Sequence, residues 1–161
     1  MNTMRSSVLL AALAALALAF ALAAPGAGAV GDPPDPRADA PDRHITDGTL
    51  QQRLDSARTR WKAAHVRSYR YTLQVSCFCP PNKAVYVVRN GLPRTSAKTD
   101  KHLATVPRLF KIVQGAIDHK VAALTATYSA RGVPRSISID GSRRIADDEV
   151  GYSLTHFAAT G

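Results

Sequence analysis

At Ser68 the apolar side chains stop recurring once per helical turn and begin to recur at every second residue. A chain that carries both rhythms in one short stretch has to pack helix against sheet. Upstream, Leu50, Leu54, Ala57, Trp61 and Ala64 follow one another at steps of four, three, four and three, which places them on one helical face. Downstream, Tyr69, Tyr71, Leu73, Val75 and Cys77 alternate with Ser68, Arg70, Thr72, Gln74 and Ser76, as in a strand with one buried and one wet face. The spacing predicts a helix over 49–65, opened by a capping box of Thr49 with Gln52 or by Asp47. Trp61, in register with the stripe, is its anchor on the sheet.

The same reading continues to the end of the chain. Pro80-Pro81-Asn82 turns it, a strand covers 84–89, Asn90-Gly91 is a hairpin signal, and a short strand over 92–97 returns. Thr105 caps a second helix with Pro107 in its first turn, and Val106, Leu109, Phe110, Ile112, Val113, Ala116 and Ile117 give that helix, to about Asp118, a broad apolar face. It is the more apolar helix and is expected to be the better buried. Strands over 121–128 and 134–140 form a hairpin about Ser129-Ala130-Arg131-Gly132, and Val150, Tyr152 and Leu154 alternate in a last strand ending near Phe157. The expected fold is α+β in the order αβββαβββ, a mostly antiparallel sheet of five to six strands with two helices on one face.

Before this domain stands a different composition. Arg5 precedes an unbroken Ala, Leu, Val and Phe run over 8–24, and Pro25-Gly26-Ala27-Gly28-Ala29 follows with the small residues that signal peptidase takes. Residues 1–29 are expected to be a signal peptide cut after Ala29, with an uncleaved anchor as the alternative. No Cys follows the run for lipid attachment, and no Arg-Arg pair precedes it. Residues 30–44, rich in Pro and Asp, read as a disordered spacer, leaving 45–161 as a single domain.

Loss of residues 1–29 removes one Arg and no acid, so the net charge of +9 becomes +8. The cations are scattered rather than blocked, which fits a solvated surface or a patch for an anionic wall polymer made by Arg94, Lys98, Lys101, Arg108 and Lys111. Nucleic acid is excluded as a partner by the expected export and by the lack of a binding signature. The only membrane contact expected is transient, through the signal peptide. Both methionines, Met1 and Met4, fall in the leader, which argues against a methionine-rich copper carrier.

Cys77-Phe78-Cys79 is the most unusual local feature. In an extended strand the two Cα atoms would lie about 6.6 Å apart, so a disulfide needs a bend, for which Pro80-Pro81 gives the occasion. Two readings stand side by side, an inert staple at a strand end and a labile redox couple. Soft-metal binding by the pair lacks further ligands, since His44, His65, His102, His119 and His156 have no ligand spacing with it. Asp140, Asp147, Asp148 and Glu149 offer oxygens to a hard cation, but not in an EF-hand pattern, and pairing with Arg143 and Arg144 together with turn capping explains them better. The sequence carries no G-x-S-x-G, HExxH, P-loop or GxGxxG motif, so neither an enzyme nor a cofactor is expected. An Asp140–Glu149 carboxylate pair is what any acidic surface allows.

Trp61, Tyr69-Arg70-Tyr71, Cys77-Phe78-Cys79, Val87-Val88-Arg89-Asn90-Gly91, Val106-Pro107-Arg108-Leu109-Phe110, the run from Thr127 to Pro134 and Asp147-Asp148-Glu149 together resemble the domain-of-unknown-function family 6174. The resemblance implies a small exported or lipid-anchored bacterial protein with one domain and a C-x-C pair, and no activity. The lipid-attachment Cys of relatives has no counterpart here. The expectation is an exported non-enzymatic domain that meets a protein or envelope component. Its open sheet face would be lined by Arg70, Thr72 and Gln74, with apolar area from Tyr86 or Val88. The alternative is an extracytoplasmic thiol-redox or metal-responsive protein acting through Cys77 and Cys79.

Overall fold

A computed structural model describes residues 40–80, 82–94 and 101–160. Its elements run α1 (Arg43–Thr46), α2 (Thr49–Ala63), β1 (Tyr69–Ser76), β2 (Asn82–Arg89), β3 (Leu92–Pro93), a 3-10 turn (Lys101–Leu103), α3 (Val106–Asp118), β4 (Ala123–Tyr128), β5 (Pro134–Asp140) and β6 (Val150–Ala159). The six strands form one antiparallel sheet in the order β3-β2-β1-β6-β5-β4. The α+β architecture with two main helices is the expected one. Each three-strand run pairs with itself first, and the join is made by β6 against β1.

The alternation in β1 becomes burial. Tyr69, Tyr71 and Leu73 are almost fully buried while Arg70 and Gln74 face water, and the helices cover the first set. Trp61 meets Tyr69 edge-on at 5.3 Å between ring centres and Phe157 at 6.0 Å, and it anchors α2 on the sheet. Tyr71 stacks between Tyr69 and Tyr86. Burial of such side chains contributes about 1.5–3 kcal/mol each. The tyrosine hydroxyls bind the sheet to the start of α3: Tyr71 donates to the Leu103 carbonyl, and Tyr69 accepts from the Val106 N–H at 3.0 Å. With six buried residues against three in α2, α3 is the better buried helix. Its Thr105 cap accepts from the Arg108 N–H.

Local details depart from expectation for physical reasons. The N-cap of α2 is Gly48, left-handed at φ +79°, with no capping box from Thr49 and Gln52. The Asp47 carboxylate instead accepts the Thr49 N–H at 2.8 Å, and hydrogen bonding from the Thr49 side chain, then from its N–H, holds the carboxyl below the usual carboxylate range. The helix closes at Ala63, two residues early, because His65 turns left-handed at φ +50°. β4 begins at Ala123 and β6 continues to Ala159. Of the expected strand over 92–97, Leu92–Pro93 is observed and 95–97 lies outside the described residues. The short α1 carries one buried apolar side chain, Ile45, too few for a period to show.

The phase of β2 is opposite to the expected one. Tyr86 and Val88 are buried, and the open face receives Val85, which is 60 % exposed, and Val87. The run from Ala84 to Val88 is apolar at every position, so its own pattern holds no phase. Pairing of Tyr71 with Tyr86 sets it.

Candidate functional site

The open face of the sheet is mostly hydroxyl and amide. Register brings Thr127, Ser136, Ser153, Gln74 and Lys83 into one row across five strands, with Thr127 and Ser136 hydrogen-bonded at 2.6 Å. Arg70 and Thr72 lie in adjoining rows beside Val87 and Val85. Two valines at one side make no continuous apolar patch, so the face itself offers little to a greasy partner.

At one end of this face the sheet opens. The β5–β6 ladder stops at Ser136 and Ser153, and beyond it each strand carries one extra residue. In β5, Thr127 pairs with Ser136 and Tyr128 with Pro134, so Arg135 is the extra residue. In β6, Thr72 pairs with Thr155 and Arg70 with Ala158, so His156 and Phe157 share the place opposite Tyr71, and His156 sits at φ +53°. A bulge bends its strand and re-aims a side chain. Both bulges border the same cleft of about 580 Å³, lined by Ser129, Ala130, Arg131, Val133 and Arg135 on one wall and by residues 154–157 on the other.

The first wall is held by hydrogen bonds within its own turn and by a close approach to α2. Ser129 and Val133 exchange hydrogen bonds, Ser129 N–H to the Val133 carbonyl at 2.8 Å and Val133 N–H to Ser129 Oγ at 3.1 Å. Gly132, at φ +82°, donates to the Ser129 carbonyl and lies so close to α2 that a Cβ there would stand 2.0 Å from the Ala57 carbonyl oxygen. Leu154 and Phe157 line the cleft as apolar surface, and Phe157 is braced by Tyr69 and Trp61. Two exposed guanidinium groups, Arg131 and Arg135, and the His156 ring stand at the rim with no carboxylate among the lining residues. Guanidinium forks above a fixed, partly apolar hollow are suited to hold a carboxylate or phosphate bidentately.

The residues singled out from sequence fall elsewhere. Arg108 and Lys111, one turn apart on α3, share a second cleft of about 410 Å³ with Arg67, Trp61 and Leu92. Arg94 is exposed at the end of β3, Lys98 is outside the described residues, and only the backbone of Lys101 is described. Of the described side chains among these five, Arg108 and Lys111 share the second cleft and Arg94 does not line it. Asp148 closes the 141–148 turn by accepting the Ser142 N–H at 2.9 Å. Arg143 reaches away from the acids to the carbonyls of Ala122 and Ala40. Among the described residues no three His, Cys, Asp or Glu side chains come together, and Asp140, Asp147, Asp148 and Glu149 form no such group.

Cys77 and Cys79 are joined, Cα to Cα 5.1 Å, across a tight turn in which the Cys79 N–H donates to the Cys77 carbonyl at 2.7 Å. The required bend is present. Nothing in the sequence pattern announces the β5–β6 cleft, because a bulge depends on partners in other strands. Its nearest sequence signal is Gly132 followed by Val133-Pro134, which stops the hairpin short.

The model of one protein family, a family of unknown function designated DUF6174, matches residues 53–159. No curated protein and no solved structure matches the chain.

Proposed function

The chain belongs to the DUF6174 family of unknown function, and from its own residues we propose that it is an exported, non-catalytic binding domain that holds an anionic group of a protein or envelope component between β5 and β6. The observation that carries this reading is the convergence of two bulges, at Arg135 and His156, on one cleft with Arg131 at its rim. Export is supported by the leader-like sequence of residues 1–29. The cleft is matched to a small negative group because its charge is of one sign and its apolar lining lowers the local dielectric, which strengthens attraction at the rim.

Retention on poly(glycerol phosphate) and on polyglutamate, measured against salt, tests the proposal. Arg131→Glu with Arg135→Glu should abolish retention, and Arg94→Glu with Lys111→Glu should leave most of it. Retention of the native protein should fade as the Debye length falls from about 8 Å at physiological salt to about 3 Å at 1 M. Equal retention of both double variants, or salt-insensitive binding, refutes it. Loss confined to Arg94→Glu with Lys111→Glu moves the site to α3.

A further inference from the structure

At the far end of β1 from the cleft, the structure displays the Cys77–Cys79 bond in a setting that a structural staple does not require. The β1–β2 ladder ends at Val75 and Asn82, and the β1–β6 ladder at Ser76 and Gly151. The bond therefore begins where the sheet stops, and it joins two residues of one turn rather than two elements. Phe78, between the sulfurs, is 82 % exposed, the most exposed large apolar side chain among the described residues. The two cysteines are placed unequally: Cys79 is exposed, whereas Cys77 is half-buried against Ser138, Val150 and Gly151, with Asp147 and Glu149 at the same hollow.

We propose that Cys77–Cys79 is an exchangeable disulfide that oxidises the dithiol of an exported protein, with Phe78 and the two carboxylates as the contact surface. A thiolate of the incoming dithiol attacks the accessible Cys79 Sγ. The Cys77–Cys79 bond breaks, and its electron pair leaves on Cys77 Sγ, which takes a proton from water. The second thiolate of the partner then attacks the partner sulfur of the mixed disulfide and releases Cys79, which is protonated in turn. Two electrons and two protons pass from the partner dithiol to the pair, and the partner gains one disulfide. Exposure of the outer sulfur permits the attack. The three-residue ring ties down little chain, so the fold keeps its ladders in both redox states. Asp147 and Glu149 select a partner that is basic around its thiols.

The test equilibrates the oxidised protein with glutathione buffers of graded ratio and counts alkylated thiols by mass, following the fold by circular dichroism. The expected result is full reduction in buffers that leave structural disulfides intact, at a thiol excess roughly a thousandfold lower than those need, with an unchanged spectrum. One equivalent of a basic dithiol peptide should be oxidised per protein. With the remaining thiol first activated as a mixed disulfide with thionitrobenzoate, Cys77→Ser should capture a single-thiol form of that peptide on Cys79 with release of thionitrobenzoate, and Cys79→Ser should capture it on Cys77 about tenfold more slowly. A bond that survives those buffers overturns the proposal, as does a fold lost on reduction. Because the reduction is read on the native protein, a serine variant that fails to fold does not remove the test.

Discussion

Replacement of Gly132 by Ala tests how the cleft wall is fixed. The residue sits at φ +82°, where a Cβ costs about 1–2 kcal/mol. The added methyl would stand 2.0 Å from the Ala57 carbonyl oxygen, 2.9 Å from the Trp61 nitrogen and 3.0 Å from the Ala57 carbonyl carbon. All three are backbone atoms of α2 and cannot swing aside as a side-chain tip can, so an overpacking cost of about 1–3 kcal/mol is added. The expected loss for Gly132→Ala is about 2–5 kcal/mol. Gly91→Ala separates the two contributions, since Gly91 has φ +79° with nothing within 4 Å of the built Cβ, and should lose only the backbone share of about 1–2 kcal/mol. Urea unfolding by linear extrapolation measures both. If the two variants lose the same stability within about 0.5 kcal/mol, the turn does not press on α2 and the wall is not braced as described.

Further outcomes follow from the same packing. Asp42→Ala removes the acceptor of the His44 N–H at 2.8 Å and of the Leu124 N–H at 3.0 Å on the outer edge of β4, and should cost about 2 kcal/mol, with faster amide exchange at Leu124. Burial raises the pKa of Tyr69 and Tyr71 and pushes that of Tyr128 up to about 12. The unfolded chain gives up these protons near pH 10 while the folded one keeps them. Their contribution is therefore whole below pH 10 and declines as pH rises through 10 toward 12. Tyrosinate absorbance and circular dichroism should change together in that window, and early tyrosinate absorbance without unfolding would contradict the burial.

The sequence was most legible where one residue's environment depends on its own element. The period in α2 and β1 set which of Leu54, Trp61, Tyr71 and Leu73 face inward, and the matching switch after α3 placed β4 to β6. Legibility failed where the answer belongs to a pair. The phase of Ala84 to Val88 is decided by Tyr71 across the ladder, and the helical turn at Arg43 is held by Asp42 bonding Val121 and Leu124, about eighty residues away. The cleft failed for the same reason. Arg131, Arg135 and His156 are ordinary surface residues in sequence and become neighbours only because two strands each accept one residue too many. Arg108 and Lys111 were found together because helical spacing makes them so.

Nitrogen-15 chemical-shift mapping during titration with polyglutamate addresses the binding claim at residue level. Recognition at the opened end of the sheet predicts saturable shifts concentrated at residues 129–135 and 154–157, absent when Arg131 and Arg135 are both Glu. Shifts that centre on Arg108 and Lys111, or a spectrum unmoved at saturating polymer, would contradict it.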